Sequence, residues 1–185
     1  MLSENMKILA FTGMPWSGKS EAVKIAKSKK VPIIRMGDLV WDETKKQGLD
    51  LNDKNVGFVA NNMREKHGKD IWSKKTIEKI KSMRKKDTII IDGIRNPEEI
   101  DLFKKELGSD FVIIAIKASD EIRRKRALSR GRIDDSDNIK ELEIRDKREL
   151  GWGLGKVLES ADIAINNEGK IEEFRGQVRD ILDKL

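Results

Sequence analysis

The stretch Gly13-Met14-Pro15-Trp16-Ser17-Gly18-Lys19-Ser20 satisfies G-x-x-x-x-G-K-[ST] and stands between an apolar run, Lys7 to Thr12, and a helical pattern over Ser20 to Lys29. Strand, glycine-rich loop and helix in that order leave few folds open. Glycines let backbone N–H groups turn inward around a phosphate, and the helix N-terminus adds partial positive charge. The lysine reaches the β- and γ-phosphates, and the hydroxyl after it ligates magnesium. Residues Gly13, Met14, Pro15, Trp16, Ser17, Gly18, Lys19 and Ser20 are therefore expected to hold a nucleotide, with Lys19 also catalytic and Ser20 also on Mg2+.

Further apolar runs alternate with helical patterns. Strands are expected at Val31 to Met36, Thr88 to Asp92, Phe111 to Lys117 and Asp162 to Asn166. Helices are expected at Pro97 to Leu107, Ser119 to Arg130, Asn138 to Leu150 and Ile171 to Leu185. Near-continuous apolar strands suit burial on both faces, and the alternation predicts an α/β fold with a parallel sheet. The stretch 37–87 exceeds a simple crossover and carries helical patterns near Asp38 to Lys46, Val56 to His67 and Ile71 to Lys85. It reads as an insert covering one side of the site. With no repeats or low-complexity linkers, residues 1–185 are expected to form a single domain, with the insert at 37–87 and a lid region at 121–145.

Composition removes several chemistries. Cysteine is absent, so disulfide frameworks, iron–sulfur clusters and thiolate zinc sites are excluded, and His67, the one histidine, leaves little for imidazole metal sites or a Ser-His-Asp triad. No secretory signal opens the chain and no run approaches the roughly 20 apolar residues of a membrane span, so a cytoplasmic protein without membrane partners is expected. The formal net charge of +6 invites thoughts of nucleic acid. However, residues 121–132 hold Arg123, Arg124, Lys125, Arg126, Arg130 and Arg132 against Glu121 alone, and the lysine runs elsewhere lack interleaved aromatic residues. The charge points to a polyphosphate ligand rather than a nucleic-acid groove.

Asp92 ends an apolar strand where a P-loop fold places a magnesium carboxylate, with Gly93 leaving room for a ligand. Arg95 follows at the strand's carboxyl end, where ligands of open α/β sheets bind, and Asn96 is placed to cap the helix that Pro97 opens. Arg126 and Arg130, spaced i and i+4, share a helix face. Arg123, Arg124 and Lys125 read as a solvated basic face paired with Asp134, Asp135 and Asp137. Gly151-Trp152-Gly153-Leu154-Gly155 follows a helix rather than a strand and reads as a hinge.

The order of P-loop, Met36-Gly37-Asp38, Asp92-Gly93-Ile94-Arg95 and an arginine-rich segment with Asp134-Asp135 resembles the nucleoside monophosphate kinases, adenylate kinase above all. It also resembles an archaeal adenylate-kinase-related P-loop family of unassigned activity, whose members carry G-M-P-x-S-G-K-S-E, D-G-x-R and a terminal A-D-x-x-I-x-N. Dephospho-CoA kinase is similar around Asp38 and at Ala161 to Gly169. The resemblance implies a five-stranded parallel sheet of order 2-3-1-4-5, ATP as donor, magnesium, and an acceptor site beneath the insert. It also implies that Asn167 and Gly169 border the adenine, that Arg126 stacks on it, and that Arg130 meets phosphates. Arg132 and Arg145 would form the far side of a short lid, with Asp135 holding Arg132 or acting as hinge. Trp16 stands where many small-molecule kinases have glycine, its ring either packing outside the loop or facing the acceptor or base.

Two acceptor chemistries remain open. A nucleoside monophosphate brings an anionic nucleophile and needs arginine clamps more than a base. Arg95 suits that, and Arg35 or Arg64 would replace the adenylate kinase arginine that is Trp41 here. A hydroxyl acceptor needs a carboxylate to take its proton, and Asp38 is the candidate unless it merely caps a helix. The residues expected to act in catalysis are thus Lys19, Asp38, Arg95, Arg130 and Arg132, serving a nucleotide-like acceptor. A nucleotide-binding switch or NTPase without a small-molecule acceptor is the third reading.

Overall fold

The computed structural model describes residues 6–83, 88–129 and 135–184, with the side chains of 135–138 outside the description. Five strands, β1 (Lys7–Thr12), β2 (Ile33–Arg35), β3 (Thr88–Asp92), β4 (Phe111–Lys117) and β5 (Ile163–Asn166), form one parallel sheet in the order β2-β3-β1-β4-β5. This is the order that the kinase resemblance implies.

The sheet is buried on both faces, which explains the unbroken apolar runs. Along β1, Ile8 and Ala10 join one core cluster while Leu9 and Phe11 join the other. In β3, Ile89 and Ile91 face one way and Ile90 the other, and Phe111 and Ile113 are likewise separated from Ile114 and Ile116 in β4. Each fully buried Ile or Phe contributes roughly 1.5–3 kcal/mol against exposure, so the central strands supply a substantial part of the fold's apolar gain, alongside the helices that cover them. On one face lie α1 (Lys19–Ser28) and α9 (Ile171–Asp183), which pack together.

Between β2 and β3 run α2 (Met36–Lys46), α3 (Asp53–His67) and α4 (Ile71–Ser82). The sequence pattern places the strand end at Met36, but the helix already begins there and the edge strand shrinks to three residues. Only the Ile33–Arg35 stretch finds ladder partners on β3, and Pro32 has no N–H to offer. Helix α3 starts earlier than its apolar pattern because the Asn52 side chain accepts from Asn55 N at 2.9 Å, an N-cap outside the apolar face. Helix α5 (Pro97–Leu107) opens as expected at Asn96, in a capping box with Glu99.

After β4 come α6 (Asp120–Leu128), α7 (Asp135–Gly151) and α8 (Leu154–Glu159). The expected hinge at 151–155 is a tight corner that starts α8. Gly153 takes φ +105°, and a Cβ there would lie 2.8 Å from Pro97 Cδ, so the corner is pinned to the start of α5. Because every strand runs the same way, the P-loop, Arg35, Asp92 and Asn167 all emerge at one edge. Among the described residues, no helix is long and apolar enough to cross a membrane.

Candidate phosphate-binding loop and adjoining cavity

Residues 13–18 leave β1 and turn back into α1, with Ser17 N donating to Met14 O at 3.1 Å. Trp16 has φ +66°, a left-handed conformation that L residues adopt at a cost, which accounts physically for glycine being suited to this position. Gly13 is required by contact: a Cβ would fall 2.5 Å from Ser17 Oγ and 2.7 Å from Ile116 O. Met14 is half-buried and Pro15 buried, and Ser20 is exposed in the first turn of α1.

The Lys19 ammonium is turned onto the Asp92 carboxylate at the end of β3. Burial pulls this ammonium below the usual lysine range by more than the attraction of Asp92 restores. Arg35 Nε stands 3.7 Å from the other Asp92 oxygen. Magnesium in kinases takes one or two carboxylates and the nucleotide's own phosphates rather than a full protein cage. The single buried carboxylate of Asp92 and the exposed Ser20 hydroxyl fit that pattern once Lys19 moves to phosphate.

The loop is closed from behind by distant chain. Asn167 Nδ2 donates to Ser17 O at 2.8 Å, and Arg126 donates to Trp16 O, Ser17 O and Asn167 O at 3.3, 3.0 and 2.6 Å. Arg126 is thus a strut holding three carbonyls. Gly169 lies exposed just before α9. Arg130, Arg132 and Asp134 fall outside the described residues, as does the Asp135 side chain.

Arg123 corrects the sequence reading. Instead of lying on a solvated face it is 2% exposed, donating to Pro15 O at 3.0 Å and to both Asp146 oxygens at 2.8 and 2.6 Å. Its neighbours Arg124 and Lys125 do sit on the exposed face, paired with Glu143 and Glu121. Sequence shows the charges but not that Asp146, far along the chain, turns one of them inward.

Beside the loop opens a cavity of about 440 Å3, floored by Lys19 and Asp92. Helix α3 lines one wall with Asp53, Val56, Gly57, Ala60 and Arg64, a helical face by spacing. Arg145, Arg148, Glu149 and Trp152, at i, i+3, i+4 and i+7, line an adjoining wall along α7 and its exit. Arg95 joins them through Glu149, 2.8 Å from its Nε. Arg64 pairs with Glu99 at 3.2 Å and stands 4.3 Å from the Trp152 ring centroid. Burial raises the Glu99 carboxyl above the ordinary range despite Arg64. Asp53, Glu99, Arg148, Glu149 and Trp152 were not singled out as site residues from sequence. The shared-face spacing was the available signal, masked by the mixture of charges and glycine.

Asp38 is elsewhere. It lies in the first turn of α2, whose N-cap is Arg35, so it is not the cap; its half-exposed carboxylate is 3.5 Å from Arg35 and is not among the cavity-lining residues. Trp41 does line the cavity at its exposed rim, with the Arg35 guanidinium 5.7 Å from its ring.

Comparison with known proteins agrees with the fold. The AAA domain family matches residues 12–143. Among solved structures, a gluconokinase from Sinorhizobium meliloti superposes with TM-score 0.57 at 15% identity, covering 96% of this chain and 92% of that one. Shikimate kinase from Aquifex aeolicus superposes with TM-score 0.51 at 21% identity, covering 95% and 96%. These establish the P-loop kinase-type fold. A UPF0200/UPF0201 protein of Archaeoglobus fulgidus is 44% identical over 97% of this chain, which spans 56% of that relative's length. A UPF0200 protein of Methanosarcina barkeri is 43% identical, covering 96% of this chain and 95% of its own. Identity at this level over nearly the whole of both chains places the protein in the UPF0200 family.

Proposed function

We propose that the chain is an ATP- and magnesium-dependent phosphotransferase acting on a small nucleotide-like acceptor, in the manner of a nucleoside monophosphate kinase. The observation that carries this reading is the cavity beside Lys19, which gathers Arg35, Arg64, Arg95 and Arg145 while Asp38 stays outside its lining. An acceptor phosphate already carries its nucleophilic oxygen and needs cations more than a base.

In this reading a phosphate oxygen of the acceptor attacks the γ-phosphorus of ATP, the bond to the β–γ bridging oxygen breaks, and ADP leaves with that electron pair. Gly13 to Ser20 hold the donor phosphates, Lys19 follows the charge on the transferring group, and Arg95 orients the acceptor. Bound magnesium, held through Ser20 and Asp92, would neutralise charge on the β- and γ-oxygens. Arg126, Asn167 and Gly169 stand on the adenine side, with Arg130 and Arg132 assigned to donor phosphates from sequence. The insert 37–87 serves as the acceptor wall and region 121–145 as the lid that keeps water out.

The test is transfer of label from γ-labelled ATP to a panel of nucleoside monophosphates and dephospho-CoA. Transfer to a monophosphate, lost in Lys19→Ala and unaffected by Asp38→Asn, supports the reading. Persistence of transfer in Lys19→Ala, or ATP hydrolysis indifferent to every acceptor, would overturn it. Loss in Asp38→Asn would move the acceptor to a hydroxyl.

A further inference from the structure

Guanidinium groups donate and never accept, and buried N–H groups in folded proteins find partners with few exceptions. In the cavity wall away from Lys19 this rule is broken repeatedly. Among the described residues, the buried Nε and Nη1 of Arg64, Nε of Arg145 and Nε of Arg148 have no hydrogen-bond partner. The Arg64 side chain is only 10% exposed, so water does not readily supply what is missing. These four donors belong to residues lining one cavity, where Glu149 Oε2, 2.8 Å from Arg95 Nε, also lacks an aligned hydrogen bond, so among the described residues unmet donors outnumber unmet acceptors there four to one. What completes them must bring acceptor atoms, and three cations select an oxyanion.

This wall is a step removed from the transfer point. Lys19 is paired with Asp92, whereas Arg64 is paired with Glu99 and Arg148 with Asp53, and the Arg95–Glu149 ion pair lines the same cavity as both sets. The chain itself supplies a stand-in for the anion. Asp53 receives Arg148 through both oxygens, at 2.7 and 2.9 Å, and lies 3.9 Å from Arg145. The Arg148 guanidinium lies so close along α3 that a Cβ on Gly57 would come within 2.9 Å of it.

We propose that Arg64, Arg145 and Arg148 form a second oxyanion subsite, and that the acceptor carries, besides the group that receives the phosphoryl, a further phosphate or carboxylate that displaces Asp53. This rests on the cavity being the acceptor site. It narrows the acceptor to a compound with two separated anionic groups, in preference to a simple monophosphate.

The experiment titrates inorganic phosphate and, separately, acetate calorimetrically into Lys19→Ala protein, in which anion binding at the P-loop is weakened. Binding of phosphate alone assigns a phosphate to the subsite, and comparable binding of acetate assigns a carboxylate. Adding Arg64→Met or Arg148→Met is expected to weaken binding by about tenfold, the value of one charge-assisted hydrogen bond, and Asp53→Asn to strengthen it. Arg148→Met and Asp53→Asn alter partly exposed groups and keep the test open if Arg64→Met fails to fold. Absence of binding for both anions at millimolar concentration, or affinities unchanged in all the added variants, would overturn the proposal. Because no transfer is measured, anion binding without kinase activity would reject the kinase reading and leave the subsite, and the converse would reject the subsite alone.

Discussion

Arg123 and Asp146 form a two-pronged ion pair between α6 and α7, and the same guanidinium donates to the carbonyl of Pro15 in the P-loop. Asp146 is adjacent in sequence to Arg145, which lines the cavity. One buried cation therefore joins the loop to a helix that lines the cavity.

Removing one partner of a buried ion pair strands the other. Arg123→Met is expected to destabilise the fold by about 3 kcal/mol, read from the midpoint of urea denaturation at unchanged slope. Arg124→Met, on the exposed face, should shift stability by under about 0.5 kcal/mol. Equal effects of the two would contradict the burial of Arg123.

Gly18 combines φ +102° with a Cβ position 2.0 Å from Asn167 Nδ2. Gly18→Ala incurs roughly 1–2 kcal/mol of backbone strain and also drives Asn167 off the Ser17 carbonyl. The expected result is a lowered melting temperature and loss of ATP affinity by calorimetry, with ATP affinity at the wild-type level as the contrary outcome.

The Arg95–Glu149 pair separates stability from function. Glu149 is 3% exposed, so Arg95→Met strips a buried carboxylate of its 2.8 Å partner, leaving it only Arg145 at 3.9 Å, and should cost roughly 3 kcal/mol. Replacing both residues with Met is expected to recover much of that loss while phosphoryl transfer stays impaired. A double variant no more stable than Arg95→Met would show that the pair's charge balance is not what matters.

Hydrogen bonding from Arg148 holds the Asp53 carboxyl below its ordinary value of 3.8. A depressed folded-state pKa gives a contribution that is complete above the ordinary value and is lost as pH falls through the lowered one. The stability difference between wild type and Asp53→Asn should therefore hold steady from neutral pH to near 3.8 and shrink below it. Guanidinium denaturation at a series of pH values measures this, and a difference that closed between about pH 5 and 7 would refute the assignment.

The central strands were legible because burial on both faces leaves a local apolar signature, as in Thr88 to Asp92. The P-loop was legible because its geometry demands particular residues in consecutive positions. Arg123 and Glu149 were not, because whether a charge is solvated or buried is settled by partners distant in sequence. The same holds for α8, a six-residue helix whose start depends on Gly153 meeting Pro97 across the fold. Asp38 shows another limit: its position after β2 resembles that of a base, and its role depends on the acceptor, which local sequence does not specify.

The contact between Ser17 and Asn167 spans 150 residues of chain. Synthesis proceeds from the N-terminus, so the phosphate-binding loop is made early, gains the Arg123 and Arg126 contacts when α6 has emerged, and lacks the Asn167 part of its backing until β5 has paired with β4. The loop's support is therefore completed late in the birth of each molecule, and nascent chains stalled before residue 163 should sequester ATP more weakly than the finished chain however well their first strands have folded.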